Sequence, residues 1–290
     1  MPKWRARGDR ALALGEPPTR GDVDLFWPNT GSDEDLFVDT AAGAVHIRRA
    51  GEGPPVVLLH SNGHSWHEFA DVIAPLAERF TVYTWDMPGQ GDSDPVHPRT
   101  SIQGYADVLA EVLDELGLEP VAVVGCSVGA FIGAELARRH PQRVSAVVLV
   151  EFAYRDPEWW RTSWTNVCRL FSVPIQSRSE IAARLEREVD DALVERWNRD
   201  RSFAGVRHMV GVMWAIRTFD MTSALRSLQM PSLIVFGGTG PTLECRPAVE
   251  AVLPEGARIE VLAGAGHFVT VDQPTTFAAL VADFLPSGSA

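Results

Sequence analysis

Along most of this 290-residue chain, short apolar runs alternate with segments of helical period. The runs are Val56 to His60, Thr81 to Trp85, Val121 to Val124, Ser145 to Val150, Leu233 to Phe236 and Ile259 to Leu262. Each is too short for a helix and is bounded by turn residues, so each reads as a buried strand. Helical periodicity occupies the intervals near 65–79, 101–116, 128–140, 246–252 and 274–284. Parallel neighbours need a crossover to bring the chain back to the same sheet edge, and a helix is the usual one. This order therefore predicts an α/β fold, a mostly parallel sheet covered by helices on both faces. The alternation in "AVHIRRAGEG" adds a hairpin strand at 44–49 ahead of that rhythm.

Between Val150 and Pro231 the rhythm stops for about 80 residues. This interval includes "ARLEREVDDALVERW", whose apolar residues recur at helical spacing, so it reads as an inserted helical lid. The division that follows is a core of 36–151 and 229–290, a helical cap of 152–228, and an irregular Gly-, Pro- and Asp-rich leader of 1–35 with Trp27 as an anchor. No internal repeat or low-complexity tract interrupts it.

A net charge of -12 argues against a surface that tracks nucleic-acid phosphates, which needs clustered Lys and Arg. Three cysteines, Cys126, Cys168 and Cys245, are too few and odd in number for a disulfide framework, which points to a reducing compartment. No stretch approaches the length of an apolar membrane span, and the N-terminus lacks the apolar run of a signal peptide. A soluble, cytoplasmic protein is the expectation.

The stretch "VAVVGCSVGAFIGAEL", residues 121–136, carries a strand straight into a helix through Gly-Cys-Ser-Val-Gly. A serine on so sharp a turn, with a glycine two positions to either side, is the arrangement of a nucleophile elbow. The glycines leave room for the backbone to pass, and the first amides of the helix point where negative charge is favoured. Ser127 is thus the candidate nucleophile, and the amide of Val128 a candidate oxyanion donor. A serine hydroxyl needs a base. Among eight histidines, His267 is the best placed, in "GAGHF" between the last strand and the final helix.

At this point the residues resemble the α/β-hydrolase superfamily over about 36–286. "VVLLHSNGHSW" is similar to its strand and oxyanion loop, "WDMPGQGDSD" to its D-x-x-G-x-G-x-S segment, "GCSVG" to its elbow and "GAGHF" to its histidine loop. The resemblance implies an α/β-hydrolase fold with an inserted helical lid, and places the second oxyanion amide at Asn62. It also exposes a departure. Most of the family carry an Asp after the strand represented by "PSLIVFGG", and here Gly240 stands at that place. Glu151, ending the strand "SAVVLVE", is the substitute, as in family members that take the acid from this strand. Glu244 is the competitor, four residues beyond the usual position and more in keeping with a helix start. Asn62 also resembles a halide-binding residue of haloalkane dehalogenases, but those need an Asp nucleophile followed by Trp, where this chain has Ser127 and Val128. A narrower resemblance is to the zearalenone lactone hydrolases, through "GCSVGA", "DMPG", Glu151 and the Asp-less "GTGPT".

His60, His64 and His67 are spaced four and three apart, but the loop "HSNG" breaks any shared helix face, and no cysteine or carboxylate set completes a metal site. His60 reads as a structural hydrogen-bonding residue and His64 as a pocket residue. Asp86 and Ser93 read as fixing a tight loop, and Cys126 as a buried thiol. Five of the nine tryptophans, Trp159, Trp160, Trp164, Trp197 and Trp214, fall in the lid, which favours a bulky aromatic or apolar substrate. Trp214 and Tyr154 are the individual substrate-binding candidates.

The resemblance implies a serine hydrolase that opens an ester through an acyl-enzyme, most specifically a resorcylic macrolactone. Ser127, His267 and Glu151 would form its triad, and no cofactor or metal is required. The alternatives are a general carboxylesterase, a thioesterase or a carbon–carbon hydrolase with the same triad, and a ligand-binding receptor with vestigial hydrolysis. The expected partner is a small-molecule ester or lactone, with neither nucleic acid nor membrane, and the Trp-bearing leader offers a homodimer contact.

Overall fold

The computed structural model describes residues 33–96 and 101–286, together with the backbone strand Trp4–Ala6. The expected leader with Trp27 lies almost wholly outside the described residues. The strands are β1 (Trp4–Ala6), β2 (Glu34–Thr40), β3 (Gly43–Ala50), β4 (Pro55–Leu59), β5 (Thr81–Trp85), β6 (Val121–Cys126), β7 (Val144–Val150), β8 (Ser232–Gly237) and β9 (Arg258–Leu262). They form one sheet in the order β1-β2-β3-β5-β4-β6-β7-β8-β9. The pairings β1–β2, β2–β3 and β3–β5 are antiparallel, and every pairing from β5–β4 to β8–β9 is parallel.

The apolar runs are continuous because both faces of the central strands are buried. Val57, Leu59, Val123, Leu149 and Phe236 point to one side, where they meet α2 (Ile102–Leu116) and α3 (Val128–Arg139). Their alternates Val56, Leu58, Val124, Val148 and Val235 point to the other, against α1 (Ala70–Ala77) and the C-terminal helix Pro274–Phe284. Helix α2 starts on the Ser101 side chain, which accepts from the Gly104 amide, and stops at left-handed Gly117.

Between β7 and β8 lie α4 (Pro157–Phe171), α5 (Arg178–Ala182), α6 (Asp191–Ala204), α7 (Val206–Arg217) and α8 (Met221–Arg226). The core is completed by α9 (Arg246–Glu250), α10 (Val269–Asp272) and α11, the C-terminal helix already placed. Two local expectations need correction. The helical spacing in "ARLEREVDDALVERW" becomes helix only from Asp191, because the Asp190 side chain caps that start by accepting from the Leu193 amide, and 183–190 form no helix. The strand β2, which the sequence reading did not identify, forms in an acidic stretch because Asp35 is neutralised by Arg48 at 3.3 Å and bonds His46 at 3.2 Å.

Candidate active site

Strand β6 and helix α3 meet at Ser127, whose backbone has φ 51° and ψ -111°. The reason for the flanking glycines is steric. A Cβ on Gly125 would lie 2.2 Å from the Gly129 carbonyl oxygen, and one on Gly129 would lie 2.2 Å from the Leu59 carbonyl oxygen. Glycine at both positions lets α3 press its first turn against the ends of β4 and β6. Val128 is the first residue of α3, so its amide precedes the first intrahelical bond. The Ser127 side chain caps nothing.

Ser127 and Glu151 are the two non-glycine residues at positive φ among the described residues, the latter at 47°. They end adjacent parallel strands, since Cys126 pairs with Val150 and the Ser127 amide donates to the Val150 carbonyl at 2.9 Å. Strain of this kind persists only where surrounding contacts hold it. Glu151 is held closely. It is buried, its amide donates to Val235 O, and its Oε1 accepts the Gly237 amide at 2.6 Å. Oε2 accepts the Thr242 hydroxyl at 2.8 Å and meets His267 Nδ1 at 3.1 Å. The carboxylate thereby fixes one ring nitrogen of His267 and leaves Nε2 as the other.

Gly240 makes room for the Glu151 carboxylate. A Cβ at this position would stand 2.2 Å from Glu151 Oε1, so a side chain at 240 and the Glu151 carboxylate compete for one space. Glu244, the competing acid, is instead exposed and paired with Arg155 at 2.5 Å.

The loop after β4 is clamped by residues that sequence reasoning did not single out. Glu68 accepts the Ser61 amide at 2.7 Å and the Ser61 hydroxyl at 2.9 Å. Buried Gln90 accepts the Gly63 amide at 2.7 Å and donates to Asn62 Oδ1 at 3.0 Å, while Asn62 Nδ2 donates to the Met209 carbonyl. The Asn62 side chain is therefore spent on positioning the loop. No pattern in the sequence marks Glu68 or Gln90, because their partners lie in other segments. Burial pushes the Glu68 carboxyl up to about 7, against the pull of the Ser61 donors.

His60 has the structural place expected of it. The Met87 amide donates to its Nε2 and its Nδ1 faces the Ser61 carbonyl, which fixes a neutral tautomer; burial lowers its pKa further. Asp86 accepts the Trp66 and Asp92 amides and His46 Nδ1, and the Ser93 hydroxyl donates to the Asp86 carbonyl, so this segment is a braced turn. His46, Asp86 and Asp92 come close enough to suggest a metal site. Although burial pulls the His46 pKa down, Asp86 and Asp35 outweigh it and raise it to about 10. Both ring nitrogens of His46 thus carry protons and face carboxylates, which leaves no lone pair for a metal.

The three substrate-binding candidates have different surroundings. His64 is buried, with its ring 4.5 Å from Trp197 and 4.9 Å from Phe268. Tyr154 bonds Thr222 at 2.7 Å and lines a cavity of about 520 Å³ with Phe131, Trp160, Phe219 and Met221; Ser127, Glu151 and His267 are not in its lining. Trp214 is exposed on α7, where its ring meets Trp164 and Arg217.

Comparison with known proteins places this geometry in context. Residues 54–274 match the family described as alpha/beta hydrolase fold. The chain is 30% identical, over 84% of its length and 67% of the relative's, to the dihydrolipoyllysine-residue acetyltransferase component of the acetoin cleaving system of Cupriavidus necator. It is 27% identical, over 86% and 93%, to 2-hydroxymuconate semialdehyde hydrolase of Pseudomonas sp.. Among solved structures, the enol-lactonase of Burkholderia xenovorans superposes with a TM-score of 0.72 at 22% identity over 86% of this chain and 98% of that one. A thermophilic esterase of Thermogutta terrifontis gives 0.72 at 21% identity over 86% and 97%.

Gly240→Ala should cost about 2 kcal/mol of stability in the native background and distinctly less beside Glu151→Ala, a coupling that urea unfolding of the double-mutant cycle measures. Additive costs would mean that the two positions do not share space. Glu68 gives a pH dependence whose sign is fixed. The unfolded carboxyl loses its proton near 4.5 and the folded one near 7, so its contribution is complete below 4.5 and is lost as pH rises through 7. Native stability should fall by about 3 kcal/mol more than that of Glu68→Gln between pH 4.5 and 7.5, and parallel profiles would contradict this.

Proposed function

This chain belongs to the α/β-hydrolase family, and from that premise we propose that it is a serine hydrolase that cleaves a carboxylic ester, lactones included. The observation that carries the reading is the contact between His267 Nδ1 and Glu151 Oε2, beside a serine on a strained strand-to-helix turn. With Nδ1 engaged, Nε2 is the nitrogen that takes the Ser127 proton as the hydroxyl attacks the carbonyl. Negative charge on the carbonyl oxygen is met by the amides of Val128 and Asn62, which are preorganised by the first turn of α3 and by the Glu68–Gln90 clamp. His267 returns the proton to the leaving alkoxide, and water then releases the acyl group from Ser127. In a lactone the alkoxide stays tethered, so one hydroxy acid results.

The finer proposal is a lactone of a bulky aromatic macrolide such as zearalenone. It is supported by the motifs "GCSVGA", "DMPG" and "GTGPT", and by the ring chain Trp159–Trp160–Trp164–Trp214. A second reading, cleavage of a carbon–carbon bond by the same three residues, is favoured by the near full-length relative 2-hydroxymuconate semialdehyde hydrolase.

Turnover of a panel of chromogenic esters, zearalenone and a vinylogous 1,5-diketone tests these readings together. Ser127→Ala should abolish turnover of whichever substrate is accepted, and Glu151→Gln should lower it ~10³-fold or more with the melting temperature kept. Unchanged kinetics in Glu151→Gln would remove the acid from this proposal, and turnover by Ser127→Ala would remove the nucleophile.

A further inference from the structure

Two arginines beside the proposed reaction centre lack a carboxylate in direct ion-pair contact. Arg201, on α6, is fully buried; its Nε and Nη2 donate to the carbonyls of Val173 and Leu170, and its Nη1 has no hydrogen-bond partner. That free Nη1 faces the oxyanion loop, lying 3.3 Å from where a Cβ on Gly63 would stand. Arg184, just after α5, also has a buried Nη1 without a partner, and its guanidinium sits over the rings of Trp197 and Phe268 at 5.5 and 5.0 Å. The Arg184 carbonyl is 3.1 Å from the Cβ position of Gly266, which precedes His267. His64 packs against the same two rings, and its Nε2 is a third buried nitrogen without a partner. Among the described residues neither arginine forms an ion pair with a carboxylate.

Electrostatics agree with this arrangement. Burial lowers the Arg184 pKa to about 10, with the like charge of Arg201 adding to it, so Arg184 remains cationic at neutral pH; burial lowers the Arg201 pKa as well. His64 is driven well below its usual range by burial and then by Arg184 and Arg201, which leaves a neutral ring within reach of two cations. Glu68, the anionic neighbour that favours charge on Arg184, is itself pushed up to about 7 and is occupied with Ser61. A buried charge without a counter-ion is costly, and guanidinium forks match a planar carboxylate.

We propose that Arg184 and Arg201, with His64 beside them, form a carboxylate-binding subsite between the oxyanion loop and the histidine loop, so that the substrate is an ester or lactone that bears a second, anionic carboxylate. The inference rests on the reaction taking place at Ser127 and deepens that reading. It keeps the broader reading of ester hydrolysis and competes with the finer macrolactone one, since a neutral macrolactone leaves both cations unanswered while a half-ester of a dicarboxylic acid meets them. Arg184 is the cleaner probe, because its guanidinium makes no hydrogen bond that holds the fold together.

The experiment has two arms that fail separately. In the first, the full-length protein is titrated with benzoate, benzamide and inorganic phosphate while its melting temperature is followed, which needs no catalysis. Benzoate should raise the melting temperature, benzamide and phosphate should not, and Arg184→Gln should weaken the benzoate effect about tenfold, with Arg184→Lys intermediate. In the second arm, mono-p-nitrophenyl glutarate is compared with p-nitrophenyl valerate. The ratio of their kcat/KM values should favour the half-ester by about tenfold or more in the native protein and drop toward unity in Arg184→Gln. No benzoate effect, an equal effect of phosphate, or a ratio near unity in the native protein would overturn the carboxylate subsite. Absence of turnover of both esters, with benzoate still bound, would instead count against the hydrolytic reading and leave the subsite standing.

Discussion

Everything about the candidate site follows from where one carboxylate sits. Glu151 ends β7 in a left-handed conformation, with its carboxylate bonded to Gly237, Thr242 and His267 at once. These partners come from the end of β8, the turn after it and the loop after β9, so a single side chain ties together three segments at the carboxyl edge of the sheet. The arrangement requires an empty Cβ position at Gly240, and it gives His267 a fixed ring orientation. A carboxylate one strand along the sheet from Gly240 therefore reaches His267. Parallel order makes this available, because neighbouring parallel strands end at the same edge.

A second constraint, the close approach of α3 to β4 and β6, places the Ser127 backbone relative to that carboxylate. The elbow depends on bare glycines at 125 and 129. The oxyanion loop depends on more distant residues: Glu68 from the turn before α1 and Gln90 from the braced segment after β5. The lid side then brings Arg184 and Arg201 to the same edge. The polar machinery is thus assembled almost wholly from loops, on a sheet whose two apolar faces hold it rigid.

The parallel strands were legible because burial on both faces leaves continuous apolar runs, as in Val121 to Val124 and Ser145 to Val150. Strand β2 was not, because a buried Asp35 paired with Arg48 and His46 has the same letters as a solvated acidic turn. Glu151 could be singled out from sequence, with Glu244 as its competitor, because no carboxylate stands at Gly240; the structure puts the Glu151 carboxylate where a Cβ on Gly240 would lie. The clamp residues Glu68 and Gln90 were hidden, being defined by contacts across long stretches of chain. Arg184 was hidden differently: the helical spacing of "ARLEREVDDALVERW" drew attention to its apolar residues, whereas 183–190 form no helix and the Arg184 guanidinium packs on Trp197 and Phe268.

The direct measurement of the central claim is the proton NMR spectrum of His267 at low temperature. A carboxylate at Nδ1 should produce a strongly downfield Nδ1–H resonance in the native protein that disappears in His267→Ala and moves sharply upfield in Glu151→Gln. A downfield resonance that is unmoved in Glu151→Gln would show that another group supports the histidine, and would contradict the account.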